Sequence, residues 1–219
     1  MSEEEFVWLQ KTEEMVKAKF AGEGSGHDWW HIKRVHDVAL HLAEGEGADR
    51  FITAMGAWLH DIADHKFHGG DYTVGPATAR RWMEELGCRA HDISHVVDIV
   101  SQVSFKGAQV ETPMSSIEGA CVQDADRLDA IGAIGIARCF AYGGHVGHSL
   151  YTPDEGHEAH TSFEDYMKSE ASSIGHFYEK LLLLKDRMNT TTGQTLAEKR
   201  HSFMENFLEE FYAEWKGKR

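Results

Sequence analysis

Apolar side chains recur along this chain at intervals of three and four, the spacing that gathers them on one face of an α-helix. Phe6, Leu9, Val16 and Phe20 predict a helix over 3–20, which Gly22-Glu23-Gly24-Ser25-Gly26 interrupts. His31, Val35, Val38 and Leu42 predict a second over 28–44, and Ile52, Met55, Leu59 and Ile62 a third over 49–62, ahead of a loop with Gly69-Gly70. Two more are predicted over 74–86 and 90–104. The second of these carries β-branched Ile93, Val96, Val97, Val100 and Val103, but their spacing and the length favour helix over strand. Residues 116–140 are apolar nearly all round and predict a central buried helix, whose glycines mark close packing or a local break.

Residues 143–165, with Gly143-Gly144, Pro153 and four histidines, predict a long surface loop or lid. Ile174, Phe177, Leu181, Leu184 and Met188 predict helix over 169–188, and Thr190-Thr191-Thr192-Gly193 a turn. Phe203, Phe207, Phe211 and Trp215 lie on an amphipathic helix predicted over 195–216; this aromatic stripe is open to two readings, a homodimer contact or core. No repeat, low-complexity tract or linker is evident. The expectation is one all-α domain over 1–219, a helical bundle with its chemistry in a central cleft.

Composition narrows the functional classes. A chain of 219 residues buries an adequate core without staples. Cys88, Cys121 and Cys139 are scattered and odd in number, which reads as small core residues of a reduced compartment. The acidic start MSEEEFVWLQ lacks the order of a signal peptide and no apolar run is long enough for a membrane span, so a cytoplasmic protein is expected. A net charge of -14 argues against nucleic-acid polymers and anionic membranes as partners. It leaves room for a small anionic substrate, because a metal and a few cations reverse the field within one cleft.

Four polar residues stand where core would be expected. His31 continues the apolar stripe of its helix and points inward. His60 and Asp61 close the next helix, where adjacent side chains diverge by about 100° and meet one ion only if it sits near the helix axis or end. Asp126 lies in Gln123-Asp124-Ala125-Asp126-Arg127-Leu128-Asp129, three aspartates within six residues. Plainer readings exist for each: a buried histidine bonded to a carbonyl, a C-terminal histidine favoured by the helix dipole, and Asp-Arg pairing with Arg127. They leave Asp61 unexplained, because a carboxylate is unfavourable at a helix C-terminus. Converging imidazoles and carboxylates are costly in an interior unless neutralised, and a divalent cation neutralises and orders them. The mixed nitrogen and oxygen set suits one Mn²⁺, Fe²⁺, Co²⁺ or Ni²⁺, with Mg²⁺ an alternative. Open coordination positions would take water and phosphate oxygens, and bound water becomes a nucleophile near neutral pH.

The order His … His-Asp … Asp on helices resembles the HD-domain metal-dependent phosphohydrolases. The flanking words Asp28-Trp29-Trp30-His31-Ile32-Lys33-Arg34-Val35, Leu59-His60-Asp61-Ile62 and Gln123-Asp124-Ala125-Asp126-Arg127-Leu128-Asp129-Ala130-Ile131-Gly132-Ala133 extend the likeness to the bacterial YpgQ/YedJ-type branch. So does the stretch from Ser173 to Gly193. The resemblance covers nearly the whole chain, with core motifs over 27–140 and C-terminal helices over 169–216 packing on them. It implies that His31, His60, Asp61 and Asp126 are the metal ligands, and that the substrate is a nucleotide. Cleavage of a nucleoside triphosphate to monophosphate and pyrophosphate is the first choice. Another phosphate ester, or a sensor that binds nucleotide without turnover, is the alternative. Ile99-Val100-Ser101-Gln102-Val103-Ser104 lacks the histidine pair of two-metal relatives, so one metal is expected.

Further candidates are weighed against solvated surface. Asp64, one turn past Asp61, is a candidate base, with Asp61 beside it in the catalytic set. Asp129 is a candidate holder of water or a substrate hydroxyl, or a partner that orients a ligand histidine. Lys33, Lys106, Arg127 and Lys180 are candidate phosphate contacts, and Arg138 is placed to neutralise an aspartate or meet an anion. Trp29 and Trp30 either stack on a base or pack so as to orient His31. His145, His148, His157 and His160 match no ligand template.

Overall fold

The computed structural model describes residues 1–22, 28–63, 71, 73–103, 112–153 and 171–219, and among them there is no strand. The helices are α1 (Glu3–Lys19), α2 (Trp29–Glu46), α3 (Arg50–Leu59), α4 (Val74–Leu86), α5 (Ala90–Gln102), α6 (Ile117–Asp129), α7 (Gly132–Val146), α8 (Ser173–Glu179) and α9 (Thr191–Trp215). The all-α expectation holds. The chain divides into two compact units, one ending with Asp126 on α6 and the other running from Arg127 to Arg219.

In the first unit α3 is the centre. Each residue from Phe51 to Leu59 is buried, and α1, α2 and α5 pack around it. Side chains such as Ile52, Met55 and Leu59 each contribute about 1.5–3 kcal/mol by leaving water. One buried hydroxyl ties three helices: Trp82 Nε1 on α4 donates to Thr12 Oγ1 of α1 at 2.9 Å, and Thr12 Oγ1 in turn lies 3.5 Å from Met55 Sδ on α3. Local chemistry fixes where the helices begin. Ser2 and Glu5 form a reciprocal capping box at α1. Asp28 caps α2 and Asp49 caps α3, each accepting from the backbone N–H three residues on.

The predicted 116–140 helix is two helices. Ile131 is extended and Gly132 takes φ +74°, a left-handed conformation that glycine adopts at little cost. A Cβ at Gly132 would also lie 3.0 Å from the Arg200 side chain. Arg200 donates to the Leu128 carbonyl, capping the end of α6 that this break leaves open. Helix α7 runs on to Val146, past the start of the predicted loop, until Gly147 at φ +83° stops it.

The predicted 169–188 helix is shorter than its apolar spacing implies. Ser172 caps α8, Lys180 leaves helical geometry, and 3₁₀ turns at Leu181–Leu183 and Lys185–Arg187 follow. These turns still bury Leu181 and Leu184. The turn expected at 190–193 is instead the start of α9, where the Thr190 hydroxyl accepts from Gly193 N–H at 3.0 Å. Phe207 of α9 packs on Phe140 and Phe177 at centroid distances of 5.9 and 5.8 Å, and Phe211 packs on Tyr151. The middle of the aromatic stripe is therefore half-buried against this unit's other rings, while Phe203 and Trp215 are exposed.

Two glycines of α7 should respond in opposite directions. A Cβ at Gly135 would overlap the Ala130 carbonyl, whereas one at Gly144 meets open space. Gly135→Ala is expected to destabilise the protein by about 1–3 kcal/mol, and Gly144→Ala to stabilise it by up to about 1 kcal/mol. Urea unfolding of the two variants checks both signs.

Candidate metal centre

The first unit brings the four expected residues together. Helix α2 begins at Asp28, whose Oδ1 accepts the His31 N–H at 2.8 Å; the capping residue is thus bonded to the candidate ligand's own backbone. Helix α3 ends at Leu59, so His60 occupies its C-cap with φ -57° and ψ -36°, and the chain turns through Asp61 to Ala63. This turn lets neighbouring side chains converge, as a continuing helix would not. On α6, residues Glu118 to Asp129 are buried with the one exception of Asp126.

His31 Nε2 lies 3.4 Å from Asp61 Oδ2 and 3.5 Å from Asp126 Oδ1. His60 Nε2 lies 3.5 Å from the same Asp61 oxygen and 4.0 Å from the same Asp126 oxygen. The two imidazoles are edge to face with centroids 5.4 Å apart. One ligand atom from each of His31, His60 and Asp126 falls within 4.8 Å of the others. The histidines are sealed from water, while the Asp61 and Asp126 side chains keep 16% and 32% of their surface exposed. The centre is therefore deep on its imidazole side and open on its carboxylate side.

The His60 ring presents a donor atom that a cation would satisfy. His60 Nδ1 lies 2.8 Å from the Ala57 carbonyl oxygen, which can only accept, so Nδ1 carries the proton. In the neutral ring Nε2 then keeps a lone pair. That atom is buried, makes no hydrogen bond among the described residues, and faces two carboxylate oxygens. Lone pairs and anionic oxygens held in one small space repel unless positive charge lies between them. Divalent metals of the Mn²⁺ to Zn²⁺ series accept this donor set.

Other expected residues lie elsewhere or are already engaged. Asp64 and Lys106 fall outside the described residues, as do His157 and His160. Asp129 is buried in the second unit, where its Oδ2 accepts from Arg138 Nη1 at 2.8 Å, so Arg138 neutralises an aspartate. Arg127 is buried and donates to the Arg187 carbonyl. Lys33 Nζ sits 2.5 and 2.6 Å from the Asp37 carboxylate oxygens. Lys180 is half-buried at the end of α8. Trp29 is buried and Trp30 is 65% exposed, so packing is the part Trp29 plays.

Other contacts of the first unit join residues that spacing alone does not pair. Trp58 stacks on Trp29 at 5.4 Å and on His36 at 4.0 Å. Gln123, fully buried three residues before Asp126, places its amide nitrogen 3.1 Å from the Thr112 carbonyl and 3.4 Å from that of Val103. His95 Nε2 lies 3.3 Å from Glu118 Oε2. Burial pushes the thiols of Cys88, Cys121 and Cys139 up to about 11, 12 and 12, so all three stay protonated near neutral pH.

Residues 29–131 match the family model described as the HD domain. The chain is 41% identical to YpgQ of Bacillus subtilis over 88% of its own length and 86% of that protein. An HD-superfamily hydrolase from Bacillus thuringiensis has a crystal structure with TM-score 0.76, 42% identity, and coverage of 97% of this chain and 98% of that one. The crystal structure of B. subtilis YpgQ in complex with ADP superposes with TM-score 0.76 and 35% identity, covering 96% of both chains. No helix among the described residues is long and apolar enough to cross a membrane.

Two measurements probe this geometry. Mn²⁺ at 100 times its Kd should stabilise the protein by about 2.7 kcal/mol, seen as a rise in Tm. His60→Ala should abolish that rise whatever its own starting Tm. The second concerns His36, whose imidazole is held below its ordinary pKa by burial, against the opposing pull of Asp37. The unfolded chain then takes up the proton first as pH falls below about 6.5. The stability this residue contributes is present above that pH and lost on acidification towards the folded value. The stability difference between the wild type and His36→Gln, from urea unfolding, should therefore be larger at pH 7.5 than at pH 5.

Proposed function

The chain belongs to the HD-domain family, and on that premise we propose that it is a metal-dependent phosphohydrolase that cleaves nucleoside triphosphates to monophosphates and pyrophosphate. The observation that carries this reading is the His60 Nε2 lone pair, buried and aimed at two carboxylates that it shares with His31. Crystallisation of the relative YpgQ with ADP supports a nucleotide as the substrate class.

His31, His60, Asp61 and Asp126 would hold a single divalent cation. When bound, such an ion supplies a Lewis acid for a phosphoryl oxygen and lowers the pKa of a water. The protein's own residues do the rest. Ala57 fixes the His60 tautomer, so its lone pair is presented without a competing proton. Asp28 anchors the backbone of His31. The partial exposure of Asp126 gives a phosphate and a water a way to reach the centre. Asp61 holds its carboxylate against both imidazoles, and Asp64, three residues on, is proposed as the base for the attacking water. The Asp129 carboxylate is bound to Arg138, which favours an anchoring part over proton transfer. Of the cations expected to meet phosphate, Lys33 is held by the Asp37 carboxylate and Arg127 by the Arg187 carbonyl, which favours a structural part for both.

The test is a panel of nucleoside mono-, di- and triphosphates and a simple aryl phosphate, each with Mn²⁺, Co²⁺, Ni²⁺, Fe²⁺ or Mg²⁺, with products identified by chromatography. Nucleoside monophosphate and pyrophosphate in equal amounts are expected from triphosphates. Asp126→Ala should lose at least about 100-fold in kcat. Release of terminal phosphate would overturn the bond assignment. Full activity in Asp126→Ala would overturn the centre, and nucleotide binding without turnover under any metal would make the protein a sensor.

A further inference from the structure

An aromatic ring on the helix that leads to His60 stacks on two residues of the helix that carries His31. Trp58 on α3 is 2% exposed, and its indole is clasped by two residues of α2. Trp29 stacks on it at a centroid distance of 5.4 Å and 6°, and His36 stacks on it at 4.0 Å and 17°. Trp29 and His36 are seven residues apart, two helical turns, so they project from one face of α2 with an axial separation of about 10.5 Å. One flat ring fills the gap between them. Each helix carries its tryptophan two residues before its candidate ligand: Trp29 before His31, Trp58 before His60.

We propose that Trp58, clasped between Trp29 and His36, is a positioning residue that sets the register of α3 on α2 and so the gap between the His31 and His60 ring nitrogens. The inference rests on the reading of those histidines as ligands. A slip of one residue along a helix moves a side chain by about 1.5 Å, whereas metal–ligand distances tolerate about 0.2 Å. An apolar contact between smooth aliphatic side chains leaves room for such a slip. A ring stacked on two residues that stand two turns apart on α2 does not, because movement in either direction along α2 drives it towards Trp29 or His36. The clasp is itself steadied from outside: Lys17 lies 5.8 Å from the Trp29 ring, and His36 Nδ1 lies 3.1 Å from Asp37 Oδ1.

The test compares the wild type with Trp58→Leu, Trp58→Phe, His36→Ala and His60→Ala at pH 7.5. Mn²⁺ affinity is measured by calorimetry, the Co²⁺-loaded protein by visible absorption, and folding by circular dichroism. Trp58→Leu is expected to lose about 10- to 100-fold in Mn²⁺ affinity and to shift the Co²⁺ bands. Trp58→Phe, which keeps a flat ring in the clasp, should stay within about threefold of the wild type. His36→Ala opens one wall from the half-buried side and should lose about threefold or more with helicity unchanged; it carries the test if Trp58→Leu does not fold. Wild-type affinity and an unchanged Co²⁺ spectrum in folded Trp58→Leu or His36→Ala, with His60→Ala having lost the metal, would overturn the positioning role alone. Wild-type Mn²⁺ affinity in His60→Ala would overturn the metal centre and this inference with it.

Discussion

An imidazole lone pair and carboxylate oxygens repel when packed together, and this chain brings Nε2 of His31 and of His60 to between 3.4 and 4.0 Å from the same two oxygens of Asp61 and Asp126. Positive charge placed between these groups would relieve that repulsion. Everything nearby is arranged to keep the four groups in place in spite of it. Asp28 and Asp49 fix the starts of α2 and α3, Ala57 fixes one tautomer, and the burial of α3 from Phe51 to Leu59 gives that helix no room to withdraw.

The ends of α6 show how a helix delivers one carboxylate from a buried stretch. Ser116 accepts the Gly119 N–H at its start, and Glu118 reaches across to the Asp49 N–H at 2.9 Å. At its other end the Leu128 carbonyl is taken by Arg200 and the Asp129 side chain by Arg138. Arg200 is itself buried enough that its guanidinium is held below its usual pKa despite Asp129. Groups at each end of α6 thus find their partners within their own unit.

The centre was legible in the sequence because its chemistry violates the local pattern. A histidine in an apolar stripe and an aspartate at a helix C-terminus stand out from spacing alone, and the flanking words make the resemblance. The supporting contacts were not legible. Trp58 and His36 are separated by 22 positions and each looks ordinary on its own helix; only the approach of α2 to α3 makes them a pair. Arg127 sits among aspartates, yet it bonds to the Arg187 carbonyl, far along the chain. The break at Ile131-Gly132 depends on a left-handed glycine backed by Arg200, a long-range fact that helical periodicity does not encode. The 3₁₀ turns after α8 keep the three-residue spacing of their leucines, so the same pattern read as a continuous helix.

The buried cysteines carry a practical consequence. Cys121 has no exposed surface and its thiol is pushed up to about 12, first by burial and then by the neighbouring Asp124 carboxylate. A maleimide or disulfide reagent needs both access and thiolate, and the folded state denies it both. Modification of Cys121 therefore proceeds through transient opening of the first unit, so its alkylation rate is an internal clock for breathing of the helix that presents Asp126.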